Sequence, residues 1–111
     1  MQESKFNQQV DDIIEHIEAQ LDELEADLDY ETAGGIFTAT FENNTKIIIN
    51  RQTPLKQIWV ATKSGGFHFD FNQDTDTWVK DDDGTELFSA LTRYFTEQAG
   101  EPIELSHRVK P

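Results

Sequence analysis

The sequence predicts an α+β fold, a two-layer α/β sandwich with two helices packed on one face of a five- to six-stranded antiparallel sheet. Two segments, one near each end of the chain, have apolar residues at helical spacing, and the segment between them alternates with a period of two. Short loops join the successive strands, which favours an antiparallel meander. The order α-β-β-β-β-β-α then leaves one sheet face open to solvent.

The first helix is predicted over about residues 3–28. Its large apolar residues, from Phe6 to Leu28, fall within one arc of about 100°, as in a helix with one face against a core. The second helix is predicted to begin near Asp83, where Glu86 would complete a capping box, and to end at Gly100.

The sheet is predicted from the segments between the helices that alternate with a period of two or carry β-branched and aromatic residues. The predicted strands are 36–42, 45–51, 57–62, 67–71 and 77–80. Asn43 and Asn44 separate the first two, and Asn tolerates the positive φ that a tight hairpin turn requires.

Length and composition fit one folded domain. A chain of 111 residues can form one core but not two, and 36% apolar with 11% aromatic residues exceeds what a disordered chain carries. We expect a single domain over residues 1–105 and a frayed tail over 106–111.

The charge of the chain limits its partners. Asp and Glu number 22 against nine Lys and Arg, a net charge of −13. Such a field repels phosphate backbones and attracts cations or basic protein surfaces, so we expect no nucleic acid partner. Cys is absent, which excludes thiolate metal sites and Cys nucleophiles. No apolar run could span a membrane and the N-terminus has no signal-peptide pattern, so we expect a soluble, cytoplasmic protein without a membrane partner.

The first helix carries acids on one side. Residues 1–31 contain eleven acids and a single base, Lys5. Six of the acids are spaced 4, 3, 4, 3, 4, and this acidic stripe consists of Asp11, Glu15, Glu18, Asp22, Glu25 and Asp29. Like charges at this spacing destabilise a helix by about 1–2.5 kcal/mol in total before screening. The stripe is therefore either a solvated face or a binding surface maintained against the stability of the helix.

Carboxylates three or four residues apart on a helix can share a cation. Oxygen donors suit hard ions such as Fe3+, Mn2+, Ca2+ and Mg2+, and a site without Cys or paired His has little selectivity. The three His residues are dispersed, and no nucleophile elbow or phosphate-binding loop is present. These patterns predict a binding protein and not an enzyme.

Trp59 is predicted on the open face of the sheet. Its neighbours Ile58 and Val60 would face the helices, so Trp59 projects to the other side with Gln57. Asn50 and Arg51 at the adjoining strand end could lie near it. Trp and Arg together are typical of interface hot spots, although a half-exposed Trp can also simply pack on neighbouring strands. His68 is expected on the same open face, alongside Asp70.

Several segments of the chain resemble the frataxins, the bacterial ones above all. They are the first-helix acids, GGIFT from Gly34 to Thr38, IINRQTPLKQIWVA from Ile48 to Ala61, and GGFHFD from Gly65 to Asp70. The likeness covers about residues 3–104 in register. It implies an α-β sandwich, in agreement with the predicted order, and a non-enzymatic role in iron–sulfur cluster assembly.

The resemblance also implies a site and partners. Iron, as Fe2+ or Fe3+, would be bound weakly by an acidic ridge consisting of Glu15, Glu18, Asp22, Glu23, Glu25, Asp27, Asp29 and Glu31. The partners would be the cysteine desulfurase and the iron–sulfur scaffold protein. Contacts to them would come from Asp11, Glu18, Asp22, Glu25, Asn50, Arg51, Gln57 and Trp59. Other hard divalent cations would also bind.

The leading hypothesis is an iron-binding regulator of cluster assembly. Its acidic ridge would bind iron and also complement a basic surface of the desulfurase. The alternatives are a ferroxidase that oxidises Fe2+ and stores it in oligomers, and an acidic mimic of nucleic acid. We expect a monomer without iron and leave open whether iron promotes oligomers.

Overall fold

The computed structural model describes residues 1–106 of the chain. The secondary structure elements, in chain order, are α1 (Glu3–Leu24), β1 (Leu28–Ala33), β2 (Ile36–Phe41), β3 (Lys46–Gln52), a 3-10 turn (Thr53–Leu55), β4 (Gln57–Thr62), β5 (Gly65–Asn72), β6 (Thr77–Lys80) and α2 (Leu87–Ala99). The six strands form one open sheet in the order β1-β2-β3-β4-β5-β6, and each neighbouring pair is antiparallel. The predicted two-layer α+β fold is confirmed.

The first strand begins at Leu28, the residue at which the sequence analysis placed the end of the first helix. α1 ends at Leu24, and Glu25 adopts a left-handed conformation with φ 51° while its N–H donates to the carbonyl of Asp22. From Leu28 onward the chain is extended and pairs with β2. The predicted helix end at Leu28 is therefore wrong, because the terminating residue is not a glycine and carries no sequence signal of its own.

The start of α2 also differs from the prediction. Glu86, and not Asp83, is the N-cap residue, and its carboxylate accepts hydrogen bonds from the backbone N–H groups of Phe88 and Ser89. Asp83 instead accepts two hydrogen bonds from Thr85, one from the backbone N–H and one from the hydroxyl. Asp83 therefore closes the turn that precedes the helix.

One apolar core lies between the helices and the sheet. α1 contributes one buried face, made up of Phe6, Val10, Ile14, Ile17 and Leu21. Alternate residues of the central strands face it, and α2 packs beside α1. Within residues 1–106 no helix combines the length and apolar character needed to span a membrane.

The end of the described chain is held against the helices. Ile103 and Leu105 are buried, and the backbone N–H of Ser106 donates to Gln20 Oε1 over 2.8 Å. The carbonyl of Ser106 lies 2.8 Å from the His16 ring nitrogen Nε2. Ser106 is thus attached to α1; residues 107–111 of the tail that we expect to fray lie outside the described part of the chain.

Candidate functional site

The acidic ridge is divided between a helix, a turn and a strand. Its members are Glu15, Glu18, Asp22 and Glu23 on α1, Glu25 and Asp27 in the following turn, and Asp29 and Glu31 on β1. Glu18 is half-buried and the other seven are exposed. The single helical stripe that was predicted to reach Asp29 ends with α1, because Asp29 belongs to a strand.

Two hydrogen bonds join the helical part of the ridge to the edge strand. Thr32 Oγ1 donates to Glu18 Oε2 over 2.9 Å, and the Tyr30 phenol donates to Asp22 Oδ1 over 2.5 Å. Tyr30 and Thr32 are two residues apart on β1, so both side chains project from the helix-facing side of the strand toward α1. These contacts orient the two carboxylates while leaving each a second oxygen for another partner.

The strand part of the ridge lies on the other side of β1. Side chains alternate along a strand, so Asp29 and Glu31 project to the open face while Tyr30 projects toward α1. In the β1–β2 register they stand opposite Thr40 and Thr38. The ridge therefore passes around the edge of the sheet, with helix acids on one side and strand acids on the other.

The charge of the ridge is uncompensated. Among the residues that the structure describes, no ridge carboxylate forms an ion pair with Lys, Arg or His. The pKa of Tyr30 is raised to about 12, first by its hydrogen bond to Asp22, then by burial and by the charges of Asp22 and Glu18. The neutral, donating form of the phenol is therefore favoured beside these acids.

The ridge supplies oxygen donors but no enclosed metal cage. In residues 1–106, no three His, Asp or Glu side chains converge closely enough to hold a metal ion together. Glu15, Glu18 and Asp22 are instead spaced three and four residues apart on an open helix surface. Carboxylates in this arrangement can bind a hard cation in pairs, with water filling the other coordination positions.

Asp11 stands apart from the uncompensated ridge, because it is paired with Arg51. Arg51 Nη2 lies 2.8 Å from Asp11 Oδ1 and 3.3 Å from the carbonyl of Gly35, and Arg51 Nη1 donates to the carbonyl and to Oδ1 of Asn7. The Arg51 side chain is 15% exposed. This guanidinium joins α1, β3 and the β1–β2 turn.

Arg51 does not lie beside Trp59. Successive residues of β3 point to opposite faces, so Asn50 faces the open side and Arg51 faces the helices. The predicted grouping of Arg51 with the open-face residues is wrong for this reason.

The open face brings Asn50, Gln57 and Trp59 together. Asn50 stands directly opposite Trp59 in the β3–β4 register. The indole Nε1 of Trp59 donates to Gln57 Oε1 over 2.9 Å, and Gln57 Nε2 donates to Asp70 Oδ1 over 3.0 Å. The Trp59 ring is half-buried, so one apolar side of this patch is accessible to a partner.

His68 is a member of this patch that sequence reasoning placed on the correct face but with the wrong neighbour. Its ring stacks on Trp59 at 4.3 Å between centroids and an angle of 19°. His68 Nδ1 lies 3.6 Å from Asp81 Oδ2. Asp70, the neighbour that the sequence suggested, instead accepts a hydrogen bond from Gln57. Alternation predicts the face, whereas the β4–β5 register, which pairs Trp59 with His68, decides the contact.

Comparison with known proteins identifies the family. A family model described as a frataxin-like domain matches residues 1–101. The iron-sulfur cluster assembly protein CyaY of Paraburkholderia phymatum is 42% identical over 106 residues, which cover 96% of this chain and 99% of the relative. CyaY of Pseudomonas aeruginosa is 43% identical over 104 residues, covering 94% and 96%.

Solved structures agree with these relatives. The frataxin from Psychromonas ingrahamii superposes with a TM-score of 0.88 at 38% identity, covering 96% of this chain and all of the other. The trimeric frataxin of Saccharomyces cerevisiae, solved in complex with ferrous iron, superposes with a TM-score of 0.70 at 29% identity, covering 91% and 88%.

Proposed function

Because this chain belongs to the frataxin-like family, we propose that it is an iron-binding accessory protein that regulates iron–sulfur cluster assembly without catalysing a reaction. The bacterial relatives are named iron–sulfur cluster assembly proteins, and the yeast relative was solved with ferrous iron. In this proposal iron is a cargo bound at the surface, as Fe2+ or Fe3+, and not a resident cofactor.

The observation that carries the proposal is the uncompensated acidic ridge around the β1 edge. The proposed iron ligands are Glu15, Glu18, Asp22, Glu23, Glu25, Asp27, Asp29 and Glu31. Adjacent carboxylates raise the local concentration of cations, and their exposed positions make each site weak and exchangeable. Weak binding suits a protein that must release iron to a partner.

The same field is proposed to attract a basic surface of the cysteine desulfurase. Glu18, Asp22 and Glu25 would form the centre of that contact, while Asp11 would contribute less because Arg51 neutralises it. Iron and desulfurase would then compete for the ridge. The open-face patch of Asn50, Gln57 and Trp59 is proposed to contact the iron–sulfur scaffold protein, since an accessible Trp is typical of interface hot spots.

An anaerobic NMR titration tests the ridge. The protein is titrated first with Fe2+ and then with the desulfurase, and the backbone amides that shift are mapped. The test variant is E18Q/D22N/E25Q/D29N. The control variant D74N/E97Q/E101Q/E104Q also removes four negative charges, but from exposed positions outside the ridge. We expect the test variant to lose both interactions and the control to retain both.

Retention of iron and desulfurase binding by the test variant would exclude the ridge as the site. Equal loss in both variants would mean that only net charge matters.

A ferroxidase that stores iron in oligomers is the alternative, and the trimeric yeast relative gives it a specific basis. It requires oxygen consumption faster than Fe2+ autoxidation in buffer, together with iron-dependent oligomers in sedimentation measurements. We expect neither, since this proposal assigns the carboxylates a binding role alone.

A further inference from the structure

A groove lies at the sheet edge opposite the acidic ridge. It has a volume of about 370 Å³ and is formed by α1, the β5–β6 hairpin and the start of α2. Its apolar lining includes Ile13, Phe71, Trp78 and Phe88. This volume is within the range of small-molecule sites, which combine an apolar lining with a few polar groups.

The floor of the groove is held in one arrangement. The Trp78 indole N–H donates to Gln9 Oε1 over 3.1 Å, and its ring meets Phe71 edge to face at 5.4 Å. Phe6 contacts the same indole from the core side at 5.8 Å. Trp78 and Phe88 are each 5% exposed and form the packed floor, so a ligand would meet the half-buried ring of Phe71 as the main preformed aromatic surface.

Three carboxylates line the groove, from Asp12, Asp76 and Glu86. No Lys, Arg or His is among its lining residues, and within residues 1–106 none of the three acids forms an ion pair. Glu86 is engaged with the α2 backbone, whereas the one hydrogen bond to Asp12 within residues 1–106 comes from Gln8. Asp12 and Asp76 thus have carboxylate oxygens available to a cationic donor.

We propose that this groove binds a small organic cation, a primary ammonium attached to an aromatic or aliphatic group. The apolar group would pack on the aromatic lining, and the ammonium would donate to Asp12 and Asp76. Aromatic rings also attract cations through their faces, which adds to the complementarity. The site is at the β6 edge and the acidic ridge at the β1 edge, so this inference does not rest on the proposed function.

The probe is 2-phenylethylamine, compared with the neutral isostere 2-phenylethanol and with ammonium chloride. Each is titrated into the 111-residue protein, and the indole N–H signal of Trp78 is followed by NMR, with W59F assigning the two indoles. We expect saturable shifts at Trp78 with the amine and much weaker effects with the alcohol or ammonium alone.

Variants locate the ammonium. D12N/D76N should weaken the amine at least about fivefold, since two exposed charge contacts are lost. E101Q/E104Q removes two exposed charges that belong neither to the groove lining nor to the ridge, and should leave the affinity unchanged. The proposal is overturned if the alcohol binds as well as the amine, if the D12N/D76N protein binds normally, or if the amine produces no saturable shift at Trp78.

Discussion

Tyr30 and Asp22 are joined by a 2.5 Å hydrogen bond between the edge strand β1 and the helix α1. The bond places a neutral donor among carboxylates that lack a basic partner in the described chain, and it aligns the two halves of the acidic ridge. Asp22 is exposed and Tyr30 is half-buried, so the coupling between them can be measured by titration in solution.

The Tyr30 phenol should ionise at a higher pH than a free phenol, since its pKa is raised. Its folded-state pKa is about 12 against 10.0 for a free phenol, because ionisation would break the bond to Asp22. The stability contributed by the neutral phenol is therefore complete below about pH 10 and is lost as the pH rises toward 12. Ultraviolet absorbance of the phenolate follows the ionisation, and D22N should lower the pKa of Tyr30.

The protein contains a second phenol, Tyr94, whose pKa is also raised, mainly by burial. Y30F identifies which absorbance change belongs to Tyr30. A Tyr30 ionisation near pH 10 in the unmodified protein would contradict the prediction.

Arg51 is expected to stabilise the fold. R51M removes hydrogen bonds to Asn7, Asp11 and Gly35 from a guanidinium that is 15% exposed, and should lower the free energy of unfolding by about 2 kcal/mol. Urea denaturation measures the change.

Arg93 provides the matched control for Arg51. It pairs with Glu97 at 3.6 Å but is 73% exposed, so R93M should cost less than about 0.5 kcal/mol. Similar losses of unfolding free energy in the two variants would show that the Arg51 contacts stabilise the fold no more than an exposed ion pair does.

Gly35 should resist substitution because its φ is +79°. G35A should destabilise by about 1 kcal/mol from backbone strain. A Cβ there would lie 3.4 Å from Arg51 Nη2, an ordinary contact distance, so the guanidinium need not move. Thermal unfolding compares G35A with G34A, where φ is +60° and nothing lies within 4 Å. A loss of several kcal/mol in G35A alone would show instead that the added methyl group displaces Arg51.

Substitution of the two Trp residues should distinguish a role in partner binding from a role in fold stability. Trp59 is half-buried and stacked on His68, so W59A should cost only about 1 kcal/mol of stability while weakening the scaffold contact. Trp78 is 5% exposed in the core, so W78A should cost about 3–5 kcal/mol. Chemical denaturation and scaffold-binding assays on both variants provide the comparison. A loss of several kcal/mol for W59A would make Trp59 structural.

The sequence was most informative where the pattern is local. The buried face of α1, from Phe6 to Leu21, follows from helical spacing, and the open-face position of Trp59 follows from alternation. The end of α1 at Leu24 was missed because Glu25 adopts a left-handed conformation without a glycine. The start of α2 was misplaced because Asp83 is a preferred N-cap type and Glu86 is not, yet the Glu86 carboxylate is the one that accepts from the N–H groups of Phe88 and Ser89.

Read alone, the amino-acid order determined two amphipathic helices, an alternating meander and an excess of negative charge near the N-terminus, since each depends on neighbours within a few residues. Only the tertiary structure decided that Arg51 meets Asp11, that His68 stacks on Trp59, and that Tyr30 and Thr32 hold the ridge carboxylates. Those contacts depend on strand register and on how α1 lies over the sheet. Both are set by packing between segments far apart in the chain, which a local period does not encode.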